Sequence, residues 1–175
     1  PSKEGTLAGN QVNCIYIDRG GIVWVGTNGG ISIYDPAQQK FAQTFLPLIE
    51  NNRQTIYDFH TDENNNVLIG TSEGLYVRNA ADRSLRYYPL TYRNEKLAVT
   101  KFYRNSDGVL YIGTQVSVFK LNKDFSIGPL PNKDREVVMK HIIESRVVSM
   151  TADTIDGHPV LLVSPYGHYL AYYDF

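Results

Sequence analysis

Apolar and polar positions alternate in short bursts along this chain, and the bursts recur. The run Val12-Asn-Cys-Ile-Tyr-Ile17 is rich in β-formers and ends on Asp18-Arg-Gly-Gly21. A second run, Ile22 to Thr27, ends on Asn28-Gly29-Gly30. Ile31 to Asp35 and Phe41 to Phe45 follow. Short β-rich runs bounded by Gly, Asn and Asp clusters predict strands joined by tight turns, because Gly and Asn supply the φ > 0 positions such turns need.

The same pattern returns twice more. Aliphatic starts at Val12, Ile56 and Val99 lie 44 and 43 residues apart. Nine residues after each start comes a turn residue, Gly21, Asn65 or Gly108, and five further on comes Gly-Thr, at Gly26-Thr27, Gly70-Thr71 and Gly113-Thr114. A worn fourth copy is read from Val148 to the turn at Asp156-Gly157, with Leu162-Val163 in its Gly-Thr slot. Each copy holds about four strands. The later ones are expected at Leu75–Arg78, Leu85–Tyr88, Val116–Leu121 and Phe125–Leu130, and in the last copy over 167–175. Four strands per ~44 residues is the period of a β-propeller blade, so the predicted fold class is all-β, built from four-stranded antiparallel blades. The blades are expected at roughly 10–46, 54–90, 97–130 and 147–175, with an insert at 131–146. Val138, His141, Ile142 and Ser145 fall on one helical stripe of that insert. A short helix and an extra strand both fit it.

Sheets that carry apolar residues on both faces must be covered by their neighbours. Trp24, Leu68 and Tyr111 occupy one column of the repeat and read as filling between blades. Gly26, Gly70 and Gly113 occupy another, where a neighbouring sheet approaches closely. Asp18, Asp62 and Asp156 read as turn formers that bond their own backbone. Four copies with the last cut short predict an incomplete fan with open edges, which invite pairing with neighbouring blades or with another copy of the chain.

Composition narrows the functional classes. The 175 residues are 42% hydrophobic and 20% charged, with a net charge of −1. That balance fits a folded domain and argues against a nucleic-acid partner. One cysteine, Cys14, excludes an internal disulfide and a Cys-rich zinc site. No apolar run nears the ~20 residues of a membrane-spanning helix. The chain opens Pro1-Ser2-Lys3-Glu4, without Met or an apolar signal core, and reads as a piece of something longer.

The string from Val12 to Asp35, with Asp18, Gly21, Trp24, Gly26, Thr27, Gly30 and Tyr34 in place, resembles the two-component regulator propeller repeat. The resemblance covers about residues 10–130 well and 147–175 loosely. It implies a periplasmic ligand-sensing segment of a hybrid two-component regulator, with an oligosaccharide as ligand. It also implies a membrane helix and a histidine kinase elsewhere in the parent, and no cofactor. The other readings are a glycan-acting propeller lyase or hydrolase, and a protein-interaction propeller.

Candidate site residues follow from where the repeat varies. The third position of each inner strand holds Cys14, Asp58, Lys101 and Met150. Asp58 and Lys101, in adjacent blades, are candidates for a channel-lining ion pair or a pocket wall. The loops on the face where the inner strands begin carry Arg53, Glu73, Tyr92, Arg93, Tyr166 and His168. Rings and charged groups together suit sugar recognition. Asp62, Asn64, Asn66 and Glu73 mimic an EF-hand spacing, but Val67 stands where that loop needs Gly, so no metal site is assigned. No catalytic constellation is recognised among the four scattered histidines, and the segment is read as non-enzymatic.

Overall fold

In the computed structural model, residues 6–47, 53–130, 144–167 and 169–174 are described. Among them there are only strands, turns and loops. The chain divides into two compact units, residues 1–98 and 99–175.

The first unit holds two four-stranded antiparallel sheets, each in simple up-and-down order. The first sheet is β1 (Val12–Ile17), β2 (Val23–Thr27), β3 (Ile31–Asp35) and β4 (Lys40–Thr44). The second is β5 (Ile56–Thr61), β6 (Val67–Thr71), β7 (Gly74–Arg78) and β8 (Leu85–Tyr88). A small hairpin, β9 (Thr91–Tyr92) and β10 (Glu95–Lys96), follows. The second unit holds β11 (Val99–Arg104), β12 (Leu110–Thr114), β13 (Val118–Leu121) and β14 (Ile127–Pro129) as one sheet, and β15 (Val147–Ile155), β16 (His158–Pro165) and β17 (Ala171–Asp174) as a three-stranded one.

The first three hairpins turn by one mechanism. Asp18 Oδ1 accepts from the backbone N–H of Gly20 and Ile22, and Asp62 Oδ1 from those of Asn64 and Asn66. Asn105 Oδ1 accepts from Val109 N–H. The turn residues Gly21, Asn65 and Gly108 sit at φ 81°, 61° and 79°. The carboxylate of Asp62 is thus occupied by its own turn, and by Asn66 Nδ2 at 2.8 Å on its other oxygen.

The Gly-Thr pair also has a local task. Thr27, Thr71 and Thr114 are buried, and each hydroxyl donates to the carbonyl three residues on, at Gly30, Gly74 and Ser117. The same oxygens accept backbone N–H groups from the turn, so one side chain closes the whole β2–β3 type of connection.

Blades dock on each other through the glycine column. A Cβ on Gly26 would lie 2.5 Å from Cys14 Sγ and 2.7 Å from Ile56 Cγ2. A Cβ on Gly113 would lie 2.6 Å from Val147 Cγ1. The first residue of the next inner strand fills the space the glycine leaves. Every inner strand also carries a register shift at the same place, between Val12/Cys14, Ile56/Asp58, Val99/Lys101 and Val147/Ser149. The residue bulged out there ties blade to blade: Asn13 Nδ2 donates to Ile56 O at 3.0 Å, and Thr100 Oγ1 to Val147 O at 2.8 Å.

This register corrects the sequence reading of the fourth copy. Its start is Val147, buried, whereas Val148 is 46% exposed. The Gly-Thr slot accordingly holds Ser164-Pro165, and the third position of the strand is Ser149 in place of Met150. The turn at Asp156-Gly157 is a two-residue connection with both φ positive, on a hairpin longer than the other three. The expected helical stripe lies mostly at 131–143, outside the described residues.

Candidate functional site

Arg53 lies beside a hollow of about 260 Å3 on the first unit, at the end where β5 begins. Gly29, Gly30, Phe45, Leu46, Gln54 and Ile56 complete its lining. The β2–β3 turn supplies the glycines, the residues next to β4 and β5 supply Phe45, Leu46, Arg53 and Gln54, and β5 itself supplies Ile56. Phe45 is 51% exposed, so an aromatic face is presented to solvent beside a guanidinium. This combination suits a sugar ring with hydroxyls at its rim.

The floor of the hollow is fixed by Gln54, which is buried. Its amide donates to Pro47 O at 2.6 Å and to Tyr76 Oη at 2.9 Å, and its carbonyl, 3.2 Å from Thr71 Oγ1, shares that hydroxyl's proton with Gly74 O. A buried amide with satisfied ends holds the connecting loop against the second sheet. Phe45 and Gln54 were not singled out in the sequence. Phe45 reads there as a strand end, and Gln54 as one polar loop residue among several.

The other expected residues do not line this hollow. Glu73 sits in the β6–β7 turn, half-buried, outside the lining of the hollow. Tyr87 donates its hydroxyl to the Glu73 carbonyl at 2.6 Å. Tyr92 ends β9 and Arg93 begins the turn to β10, with the guanidinium 5.0 Å from the ring centre. Arg93 and Asn94 both adopt positive φ there. Asp58 pairs with Gly70 in the first unit and Lys101 with Gly113 in the second. Tyr166 is 69% exposed in the second unit, and His168 lies outside the described residues.

Buried phenols give the fold an alkaline limit. Burial pushes the Tyr76 hydroxyl up, with the Glu73 charge adding and the Gln54 bond subtracting. Burial likewise raises Tyr103, Tyr111 and Tyr173. A phenol whose folded value exceeds its unfolded value of about 10 contributes stability that is whole below pH 10 and is lost as pH climbs through the folded value. Unfolding midpoints should therefore fall above pH 10, and Tyr76→Phe and Tyr111→Phe should flatten that fall. Equal slopes in the variants and the wild type would contradict the assignment.

Residues 6–29 match the sequence model of the family described as two component regulator propeller. No curated protein sequence matches this one. Among solved structures, the chain resembles the extracellular domain assigned to a hybrid two component system of B. thetaiotaomicron, with a TM-score of 0.74 at 16% identity, over 95% of this chain and 22% of that one. A second such domain from the same organism gives 0.68 at 17%, over 95% and 20%. Virginiamycin B lyase from Staphylococcus aureus gives 0.62 at 12%, over 99% and 59%. The chain therefore spans about a fifth of the length of the first two. At these identities the likeness establishes the propeller fold. No helix among the described residues is long and apolar enough to cross a membrane.

Proposed function

We propose that this chain is a ligand-sensing propeller segment of a hybrid two-component regulator, facing the periplasm, and that its ligand is an oligosaccharide. The observation that carries the reading is the repeat match at 6–29 within a fold shared with extracellular domains of such systems. The hollow beside Phe45 and Arg53 supports the ligand class. The ring stacks on the apolar face of a pyranose, and the guanidinium donates to its hydroxyls. Phe45 follows the last strand of the first blade, and Arg53 and Gln54 precede the first strand of the second, so a ligand seated there senses the relative placement of the two blades. It drives a change only by binding one arrangement better than the other. The open sheet faces, where Ile15 and Ile17 on β1 and Tyr172 on β17 stay exposed, pack against further blades or another copy. Signal output passes through a membrane helix and a histidine kinase in the parent.

A glycan array followed by titration calorimetry tests this. Phe45→Ala with Arg53→Ala should weaken binding at least about tenfold, since ~1.4 kcal/mol is a factor of ten and each contact is of that order. Unchanged affinity in the double variant removes the hollow as the site. Absence of any glycan binding by the parent removes the oligosaccharide.

A further inference from the structure

A second, larger depression of about 720 Å3 lies between the two sheets of the first unit, at the end where β1 turns into β2. The first sheet contributes Asp18, Arg19 and Trp24 to its walls, and the second Asn65, Arg78 and Arg83. Three guanidinium groups face one space. Arg78 is half-buried and rests over the Trp24 ring, 5.4 Å from its centre. Its backbone pairs within the sheet, but its guanidinium makes no hydrogen bond or ion pair with any described residue. Stacking engages the face of a guanidinium and leaves its N–H donors open to a ligand at the edge. Arg19 donates to Asn65 Oδ1 at 3.2 Å. That contact spans the two blades but supplies a neutral acceptor.

The two carboxylates in the cleft, Asp18 and Asp35, offset only part of this charge, and neither bonds a guanidinium. Asp18 spends Oδ1 on the N–H groups of Gly20 and Ile22, and Oδ2 on Trp24 Nε1 at 2.8 Å. Asp35 Oδ1 is taken by the N–H groups of Ala37 and Gln38. Both acids close their own turns. Burial, and then repulsion from Arg83, destabilise the charged form of Arg78, while the Asp18 charge partly offsets them. A partly desolvated guanidinium near a second one, with no carboxylate bonded to it, is complementary to an oxyanion brought from outside.

We propose that this inter-blade cleft is a binding site for a small oxyanion, a carboxylate, sulfate or phosphate group, held by Arg78 and Arg83 with Arg19 at the rim. The anion bridges the two blades, so its binding stiffens their packing and raises the stability of the first unit by linkage. The site is separate from the hollow at Phe45 and does not depend on the sugar-sensing reading.

Trp24 is the only tryptophan in the chain, and its indole lies under Arg78, so its emission and its indole N–H resonance report on this cleft. The test titrates the 175-residue chain with sodium sulfate, sodium phosphate and sodium galacturonate, against sodium chloride at matched ionic strength. A saturable change in the Trp24 signal is expected with at least one oxyanion and none with chloride. Preference for galacturonate over the inorganic ions would point to an acidic sugar, and the reverse to a free inorganic anion. Arg83→Gln, at an exposed position, should weaken the response about tenfold and Arg78→Gln should abolish it, with Arg86→Gln on β8 unchanged. A response that rises linearly without saturation, or that is equal in Arg83→Gln and wild type, overturns the proposal.

Discussion

Replacing Trp24 by alanine should lower the unfolding free energy of the first unit by about 3–5 kcal/mol, the usual cost of removing a buried large aromatic. The ring is 3% exposed and belongs to a cluster with Ile31, Ile56, Phe59, Val67 and Ile69, drawn from both sheets. It meets Phe59 of the next blade at 5.9 Å between ring centres. Its loss opens a cavity at the blade junction. It also strips Asp18 Oδ2 of its donor and Arg78 of the surface beneath it. Trp24→Phe separates these effects. It keeps most of the packing and deletes the indole N–H, so it should cost about 1–2 kcal/mol. Urea unfolding followed by far-ultraviolet circular dichroism measures both, since no tryptophan signal survives. An alanine variant within about 1 kcal/mol of wild type would mean that the blades are not held together there.

The second large effect comes from adding a single methyl group. Gly113→Ala places a Cβ 2.6 Å from Val147 Cγ1 and 2.8 Å from Val147 Cβ. The second of these atoms is anchored to the backbone and cannot rotate away. Overpacking of this kind costs about 1–3 kcal/mol. Gly26→Ala should behave alike against Ile56, with Cys14 adding a second obstruction. Val147→Ala in the Gly113→Ala background should recover part of the loss. A double-mutant cycle would show a coupling of about 0.5–3 kcal/mol, as expected for residues in direct contact. Additive effects in that cycle would place Gly113 and Val147 out of contact.

The strands and their first turns were legible in the sequence because the information is local. Asp18, Asn65 and Gly108 act within a few residues of themselves, and β-rich runs between such turns leave little choice of element. The glycine column was legible as a column, since it recurs at a fixed distance from each turn. The bulge in each inner strand was not. It adds one residue without changing the spacing from start to turn, and its cause is a bond to the next blade, made by Asn13 and by Thr100. The fourth copy starts one position earlier than the repeat spacing predicts because its first hairpin is longer, with β15 running from Val147 to Ile155 before the turn. The β9–β10 hairpin was missed because Thr91 to Lys96 is almost wholly polar and turns through Arg93 and Asn94 without a glycine.

The candidate sites were less legible for a different reason. Arg53 stood out as a charged loop residue, and the hollow beside it is observed. Its aromatic partner Phe45 comes from the preceding strand's end, and only folding brings the two together. Arg19 comes from a turn of the first repeat, and Arg78 and Arg83 from a strand end and a loop of the second. Nothing in their spacing announces a common space.

The docking of an aliphatic side chain into the notch above a glycine gives the array a direction. Within each unit the first blade offers the notch and the second the plug, so tandem duplication of such a blade yields a copy whose docking surface is already made. Growth by gene duplication then needs no invention of a new interface. The fourth repeat breaks this pattern, because Ser164 carries a side chain where Gly26 and Gly113 have none. Whatever meets that sheet must do so by a different arrangement of atoms, and a lineage extending the array at that point would first have to restore the glycine.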